Sequence, residues 1–291
     1  MFVSGFTFIN NAVRFDYPIV EAIQSIMPLC DEVVVAVGDA QDGTRELIES
    51  IGSDKVRIVD TVWDHSLREG GRVLAVETDK AYAHISPEAD WAVYIQGDEV
   101  LHEQDLPAIR EAMERHLQRR DVDGLLFKYK HFYGSYDYVG ASDRWYAHEV
   151  RVVRAGSSVK SFRDAQGFRI RDNEPLQVLP VDATVHHYGW VKPPQVMQDK
   201  RVQFNKLWHD DEWVETHVVG PESFAYEDHI RSLHRFEGPH PQVMQRRVGA
   251  MNWTFSFDPS QNRWTWKERL KSLAKKVGIN PNYANYKLLR R

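Results

Sequence analysis

The chain has 291 residues, with 37 basic and 42 acidic side chains, a formal net charge of −5 and 42% hydrophobic residues, enough length and apolar content for a globular protein with a sizeable core. Its longest unbroken aliphatic run, residues 33–37, is far short of the ~20 apolar residues of a membrane-spanning helix, and Met1-Phe2-Val3-Ser4-Gly5 lacks the pattern of a secretory signal, so a cytoplasmic location is expected. The single cysteine, Cys30, sits in an apolar stretch and excludes both an internal disulfide framework and a thiolate-rich metal site.

Residues 3–9 read as a short buried strand. Asp16 and Pro18 then open a helix whose apolar face is Ile19, Val20, Ile23, Ile26 and Met27. A second buried strand covers 33–37, and Asp42-Gly43-Thr44 opens a helix carrying Leu47, Ile48 and Ile51. A third strand spans 56–59, Gly70-Gly71 precedes a helix over 72–84, and residues 91–95 make a fourth strand. Strands separated by helical patterns imply right-handed crossovers and an α/β fold, a mostly parallel central sheet flanked by helices. In such sheets ligands sit at the carboxyl ends of the strands.

After Asp98 the rhythm changes. A helix over 106–117 leads into half-exposed strands at 125–132 and 149–153, and a further strand, 181–187, ends in His186-His187-Tyr188-Gly189-Trp190. From Pro194 onward the pattern is helical, broken into short pieces by Gly220, Pro221, Gly238, Pro239 and Pro241. The expected organisation is a domain over 1–190, a helical region over 191–262 and a tail over 263–291.

The tail carries nine basic residues against Glu268 alone, a net of +8, which leaves residues 1–262 with 28 basic and 41 acidic groups, a net of −13. So acidic a body excludes a general affinity for nucleic acid. Within the tail Trp264, Trp266, Leu270, Leu273, Ala274 and Val277 recur at helical spacing, the form of either a solvated helix or an interfacial one at the inner face of an anionic membrane.

The most informative segment is Trp91-Ala92-Val93-Tyr94-Ile95-Gln96-Gly97-Asp98-Glu99, an apolar strand running straight into carboxylates. Acids at the ligand edge of a sheet suit Mg²⁺ or Mn²⁺ on a diphosphate, unless they belong to a solvated turn. With this segment the sequence resembles the family 2 glycosyltransferases and their relatives of the GT-A fold, on four segments in that family's order. They are the opening strand to Asn10, the strand and loop Asp31-Glu32-Val33-Val34-Val35-Ala36-Val37-Gly38-Asp39-Ala40-Gln41-Asp42-Gly43-Thr44, the D-x-D-like Gln96-Gly97-Asp98-Glu99, and His187-Tyr188 followed by a helix with Lys200 and Asn205. The last is similar to the lipopolysaccharide-core branch.

The resemblance implies a GT-A-like, Rossmann-like fold and transfer of a sugar from a nucleotide-diphosphate donor, a UDP-sugar by the family's habit, to a glycan or lipid-linked acceptor. It implies Mn²⁺ or Mg²⁺ held by Asp98 and His187, and donor contacts from Thr7, Asn10, Asp39, Arg72, Gln96 and Gly97. Two positions depart from the pattern: Gln96 stands where the first acid of the D-x-D belongs, and the acid of the nucleotide loop has slipped to Asp39. Asp42 reads equally as a ligand contact and as a cap for the next helix. Arg72, or Arg68, beside Gly70-Gly71 reads as a phosphate contact or as surface.

An inverting transfer also needs a base near the acceptor hydroxyl. The family places it between the metal motif and the late His, where this chain has Trp145, Glu149, Asp164, Asp172 and Glu174. Asp164, among aromatic and small residues, is favoured; Glu149, on a strand, either faces the cleft or pairs with Arg151 or Arg154. Since neighbours on a strand point to opposite faces, only one of His186 and His187 reaches a metal, and the family match selects His187. His209-Asp210 reads as acceptor-side surface, with Trp208 or Trp213 to stack on a sugar. The competing readings are a sugar-phosphate nucleotidyltransferase, although residues 10–14 do not resemble its glycine-rich loop, and a non-catalytic sugar- or nucleotide-binding protein, for which Gln96 argues.

Overall fold

The computed structural model describes residues 1–291 except 143, 144, 157, 172, 267, 269, 270, 272–283, 290 and 291. Three α/β crossovers open the chain: β1 (Val3–Ile9), α1 (Ile19–Ile26), β2 (Glu32–Val37), α2 (Thr44–Glu49), β3 (Val56–Asp60), α3 (Arg72–Tyr82) and β4 (Trp91–Tyr94). Their strands lie parallel in the order β3-β2-β1-β4. Alternation along β2 shows why these apolar runs are strands. Val33, Val35 and Val37 enter one core with Ile19, Ile23 and Ile26 of α1, while Val34 and Ala36 enter a second core with Phe6, Tyr94 and Ala81 of α3. Each fully buried Ile is worth about 1.5–3 kcal/mol.

The second half extends the same sheet. After β5 (Glu99–Leu101) and α4 (Leu106–Arg115), the chain makes β6 (Gly124–Tyr133), β7 (Tyr138–Gly140) and β8 (His148–Arg154), with β8 antiparallel to both β4 and β6. A small three-stranded sheet, β9 (Lys160–Phe162), β10 (Gly167–Ile170) and β11 (Glu174–Pro175), precedes the long β12 (Gln177–Trp190). Strand β12 runs parallel to β6 and antiparallel to β5. The expected mixed α/β architecture, helices flanking a large central sheet, is what the chain forms.

Beyond β12 come α5 (Pro194–Asn205), α6 (Asp211–His217), β13 (Leu233–Arg235) and α7 (Gln245–Gly249). The 191–262 region holds the short helical pieces expected of it but also β13, which adds to the main sheet through β7. The expected amphipathic membrane helix of the tail lies largely outside the described residues. In its described part β14 (Lys287–Leu288) pairs with the start of β12, and Asn285 is buried. Among the described residues no helix is long and apolar enough to cross a membrane.

Candidate active site

Strands β1 and β4 are parallel neighbours, so the residues following them, Asn10 and the Gln96–Glu99 turn, emerge side by side at the carboxyl edge. The antiparallel pairing of β5 with β12 sets Glu99 opposite His187, and Tyr188 donates its backbone N–H to the Asp98 carbonyl at 2.7 Å. This register carries His187 to Asp98: Nε2 lies 3.7 Å from Oδ1, while Lys200 Nζ of α5 stands 3.3 Å from Oδ2. Burial pulls the Asp98 carboxyl upward, but Lys200 and His187 outweigh it and hold the pKa at about 2. Burial lowers the pKa of His187, against the pull of Asp98 and Glu99. A Cβ on Gly189 would fall 2.7 Å from both Asp98 Oδ2 and His187 Nε2, so the close approach of β12 requires glycine there.

The three polar residues of the turn serve different ends. Glu99 is fully buried and bidentate to Arg151, Nε to Oε2 at 2.8 Å and Nη2 to Oε1 at 2.7 Å, with Tyr129 donating to Oε1 at 2.8 Å. It is a strut between the β4 turn and β8, with no lone pair turned to the cavity. Gln96 donates through Nε2 to the Ala165 carbonyl at 3.3 Å, a bond an aspartate could not make. Only Asp98 presents a carboxylate to the cavity from this turn.

That cavity has a volume of about 680 Å³. It is lined by Phe8, Asn10 and Trp63, by Asp98 and His187, and by Lys200, Arg201, Phe204 and Lys206 of the α5 region. Asn10 Oδ1 and Trp63 Nε1 are buried without a partner, and a Cβ on Gly38 would meet Trp63 Nε1 at 2.7 Å and Asn10 Cγ at 2.8 Å. Glycine at position 38 thus leaves room for the Asn10 and Trp63 side chains, each of which keeps one buried polar atom unpartnered. Asp164 reaches the same cavity from the turn before β10, between Arg163 and Ala165, both in the left-handed region at φ 54° and 63°. Burial raises its pKa, against the Gln166 side chain that donates to Oδ1 at 3.2 Å.

The structure therefore gathers Asn10, Gln96, Gly97, Asp98, His187 and Asp164 around one cavity. It does not bring Thr7, Asp39, Arg72 or Glu149 to that wall. Thr7 is buried within β1, where its side chain has only a long 3.5 Å contact to the Phe8 carbonyl. Asp39 is exposed, because the loop turns outward after β2. Arg72 lines a neighbouring open cleft that shares Asp164 and Gln166 with the cavity. Glu149 is buried beneath the site beside Gly167, its Oε2 unpartnered; burial raises its pKa to about 8, with Arg151 opposing and Glu99 adding.

Other expectations resolve by contact. Asp42 accepts from the backbone N–H of Arg14 and of Thr44, so it ties the β1 loop to the start of α2. His186 packs among His102, Phe132 and Phe236, away from Asp98. Trp213 is stacked between His209 and His217, so both its faces are covered; Asp210 caps α6 through the N–H of Trp213. Asp172 lies outside the described residues. Lys200, Trp63, His131 and Arg151 were not singled out for the site by their sequence; the one available signal was the place of Lys200 in the helix after His187-Tyr188.

Mn²⁺ or Mg²⁺ finds a donor set of limited size. Among the described residues no three His, Cys, Asp or Glu side chains converge on one point. Asp98 Oδ1 and His187 Nε2 face each other 3.7 Å apart, and Lys200 occupies only the other carboxylate oxygen. An oxygen and a nitrogen lone pair aimed at one gap fit a divalent cation whose remaining ligands are substrate oxygens and water.

No protein-family model matches the chain, and no curated protein matches it in sequence. Among solved structures the chain is similar to glucosyl-3-phosphoglycerate synthase from Mycobacterium tuberculosis in complex with Mg²⁺ and uridine diphosphate, at 22% identity over 45% of this chain and 43% of that one, with a TM-score of 0.30. It is also similar to S. aureus TarS 1-349, at 14% identity over 76% of this chain and 67% of that one, with a TM-score of 0.39. The chain spans less than half the length of the synthase.

Proposed function

We propose that this chain is a GT-A-like glycosyltransferase of the family 2 type that moves a sugar from a nucleotide-diphosphate donor, a UDP-sugar, to a hydroxyl of a glycan or lipid-linked acceptor with inversion. The observation that carries the reading is the Asp98–His187 gap at the carboxyl edge of the sheet, in the lining of a cavity of nucleotide-sugar size. Phe8 and Trp63, which line the cavity with Asn10, suit the face of a nucleobase. Lys200, with Arg201 and Lys206, offers positive charge to a diphosphate.

Asp98 and His187 would hold the cation, which when bound offsets charge on the departing diphosphate. Asp164 takes the acceptor proton as the acceptor oxygen bonds to the anomeric carbon; the bond from that carbon to the β-phosphate oxygen breaks, and the nucleotide diphosphate leaves with the electron pair. Gln96, the strongest support for a non-catalytic binding protein, is accounted for differently here, because its amide ties the Asp98 turn to the Asp164 turn. The lipid-linked acceptor and peripheral contact with the inner membrane face through 263–291 rest on the charge and pattern of the tail.

A thermal-shift panel of nucleoside diphosphates with and without Mn²⁺ tests the reading. Stabilisation by UDP that needs Mn²⁺ and disappears in Asp98→Ala supports it. No shift with any nucleoside diphosphate, with or without metal, overturns it.

A further inference from the structure

The imidazole of His187 is part of a chain of bonds that leads away from the cavity. His187 Nδ1 lies 3.1 Å from His131 Nδ1, and His131 Nε2 lies 2.8 Å from the carbonyl oxygen of Tyr146. A carbonyl only accepts, so His131 carries its proton on Nε2. His131 is 4% exposed, stacked on Tyr129 and Trp145 with Tyr146 edge-on, and burial among these rings outweighs the pull of the Asp98 carboxylate beyond His187, which favours the neutral ring. A neutral ring protonated on Nε2 has a bare Nδ1. The 3.1 Å contact is then a hydrogen bond only if His187 donates from its own Nδ1, and that leaves His187 Nε2 bare, 3.7 Å from a carboxylate oxygen. Two facing lone pairs repel unless a cation lies between them.

We propose that His131 is a positioning residue: with the Tyr146 carbonyl behind it, it fixes His187 in the Nδ1–H tautomer and so keeps the Nε2 lone pair available, with Asp98 Oδ1, to a divalent cation. The inference rests on the Asp98–His187 cation site but not on sugar transfer. A ligating histidine whose other nitrogen is held by a partner is a better ligand, because ring orientation and proton position are settled in advance.

The test begins with the full, unaltered chain, ¹⁵N-labelled at histidine and free of metal. Long-range ¹H–¹⁵N spectra, assigned with His131→Asn and His187→Asn, should show His187 protonated on Nδ1 and bare on Nε2, and His131 the reverse. A proton on His187 Nε2 overturns the proposal. The second arm is an electron paramagnetic resonance titration with Mn²⁺ alone. His131→Phe, which has no acceptor, should bind Mn²⁺ about 10- to 100-fold more weakly. His131→Asn, whose Oδ1 can stand in for Nδ1, should stay close to the wild-type chain. Wild-type affinity in His131→Phe, or equal weakening in both variants, overturns the proposal; should His131→Phe not fold, the tautomer spectrum decides. A chain with the expected tautomers and Mn²⁺ affinity that transfers no sugar would remove the transferase reading alone, whereas transfer with the opposite tautomer would remove only this one.

Discussion

Lys200 Nζ and the Oδ2 oxygen of Asp98 are 3.3 Å apart, so one carboxylate meets an ammonium on one oxygen and an imidazole nitrogen on the other. Such an ammonium repels a cation approaching Oδ1 and favours an anion. Lys200→Met should therefore bind Mn²⁺ alone more tightly and a nucleoside diphosphate without metal more weakly, the latter by about tenfold or more, equivalent to about 1.4 kcal/mol. Calorimetric titration of each ligand separately checks the two signs, and a change of the same sign for both would refute this division of labour.

Gly189→Ala puts a methyl group 2.7 Å from both Asp98 Oδ2 and His187 Nε2. The side chains must part, and Lys200 limits where Asp98 can go. Mn²⁺ affinity should fall at least tenfold while the circular dichroism spectrum is retained. An alanine variant with wild-type Mn²⁺ affinity would show that the two groups do not act together.

Asp164→Asn should lower kcat about 10²- to 10⁴-fold, the range for loss of a general base, with donor affinity little changed. Glu149→Gln should keep its kcat, since Glu149 lies off the cavity wall. The reverse ranking would transfer the base to Glu149.

Glu149 has a separate signature in stability. Burial raises its pKa from 4.5 to about 8 in the folded chain, so the unfolded chain releases this proton first. Its contribution to stability is fully present below about pH 4.5 and is lost as the pH rises toward about 8, a cost of about 3–5 kcal/mol at alkaline pH. Glu149→Gln should raise the denaturation midpoint at pH 8 and leave it unchanged near pH 4.5. An equal effect at both values would show that the buried carboxyl is not neutral.

Arg151→Met removes one partner of a fully buried ion pair and strands Glu99. The expected loss is about 3–5 kcal/mol in urea unfolding. The double variant Glu99→Gln, Arg151→Met should recover part of it, and an additive outcome would deny the coupling.

The parallel half of the sheet was legible because a strand buried on both faces reads as an unbroken apolar run, as Val33 to Val37 does. Strand β5 was not, since it is three residues long and begins with Glu99, whose charge hides its burial until Arg151 arrives from 52 positions away. Asp98 stands out as the acid at the end of an apolar strand, whereas His187 is selected over His186 only through the family resemblance. Lys200 is visible only as part of the resemblance after His187-Tyr188, since a lysine on a helix usually means solvent, and His131 is not visible at all, since a histidine on an aromatic strand usually means core. Asp39 and Trp213 mislead for a related reason. Local pattern says which residues could bind, but the turn after β2 exposes the first and two flanking histidines cover the second.

The Glu99–Arg151 strut also bears on how such a chain can be recombined. The natural-looking seam for a chimera lies near residue 100, between the parallel half and the mixed half. A graft cut there would separate Glu99 from Arg151, leaving a charge in the interior of each parent. It would also divide Asp98 from the strand that carries His187. The unit that can be exchanged runs at least through α5, which carries Lys200 to Asp98, so the cavity cannot be transplanted by trading the first hundred residues alone.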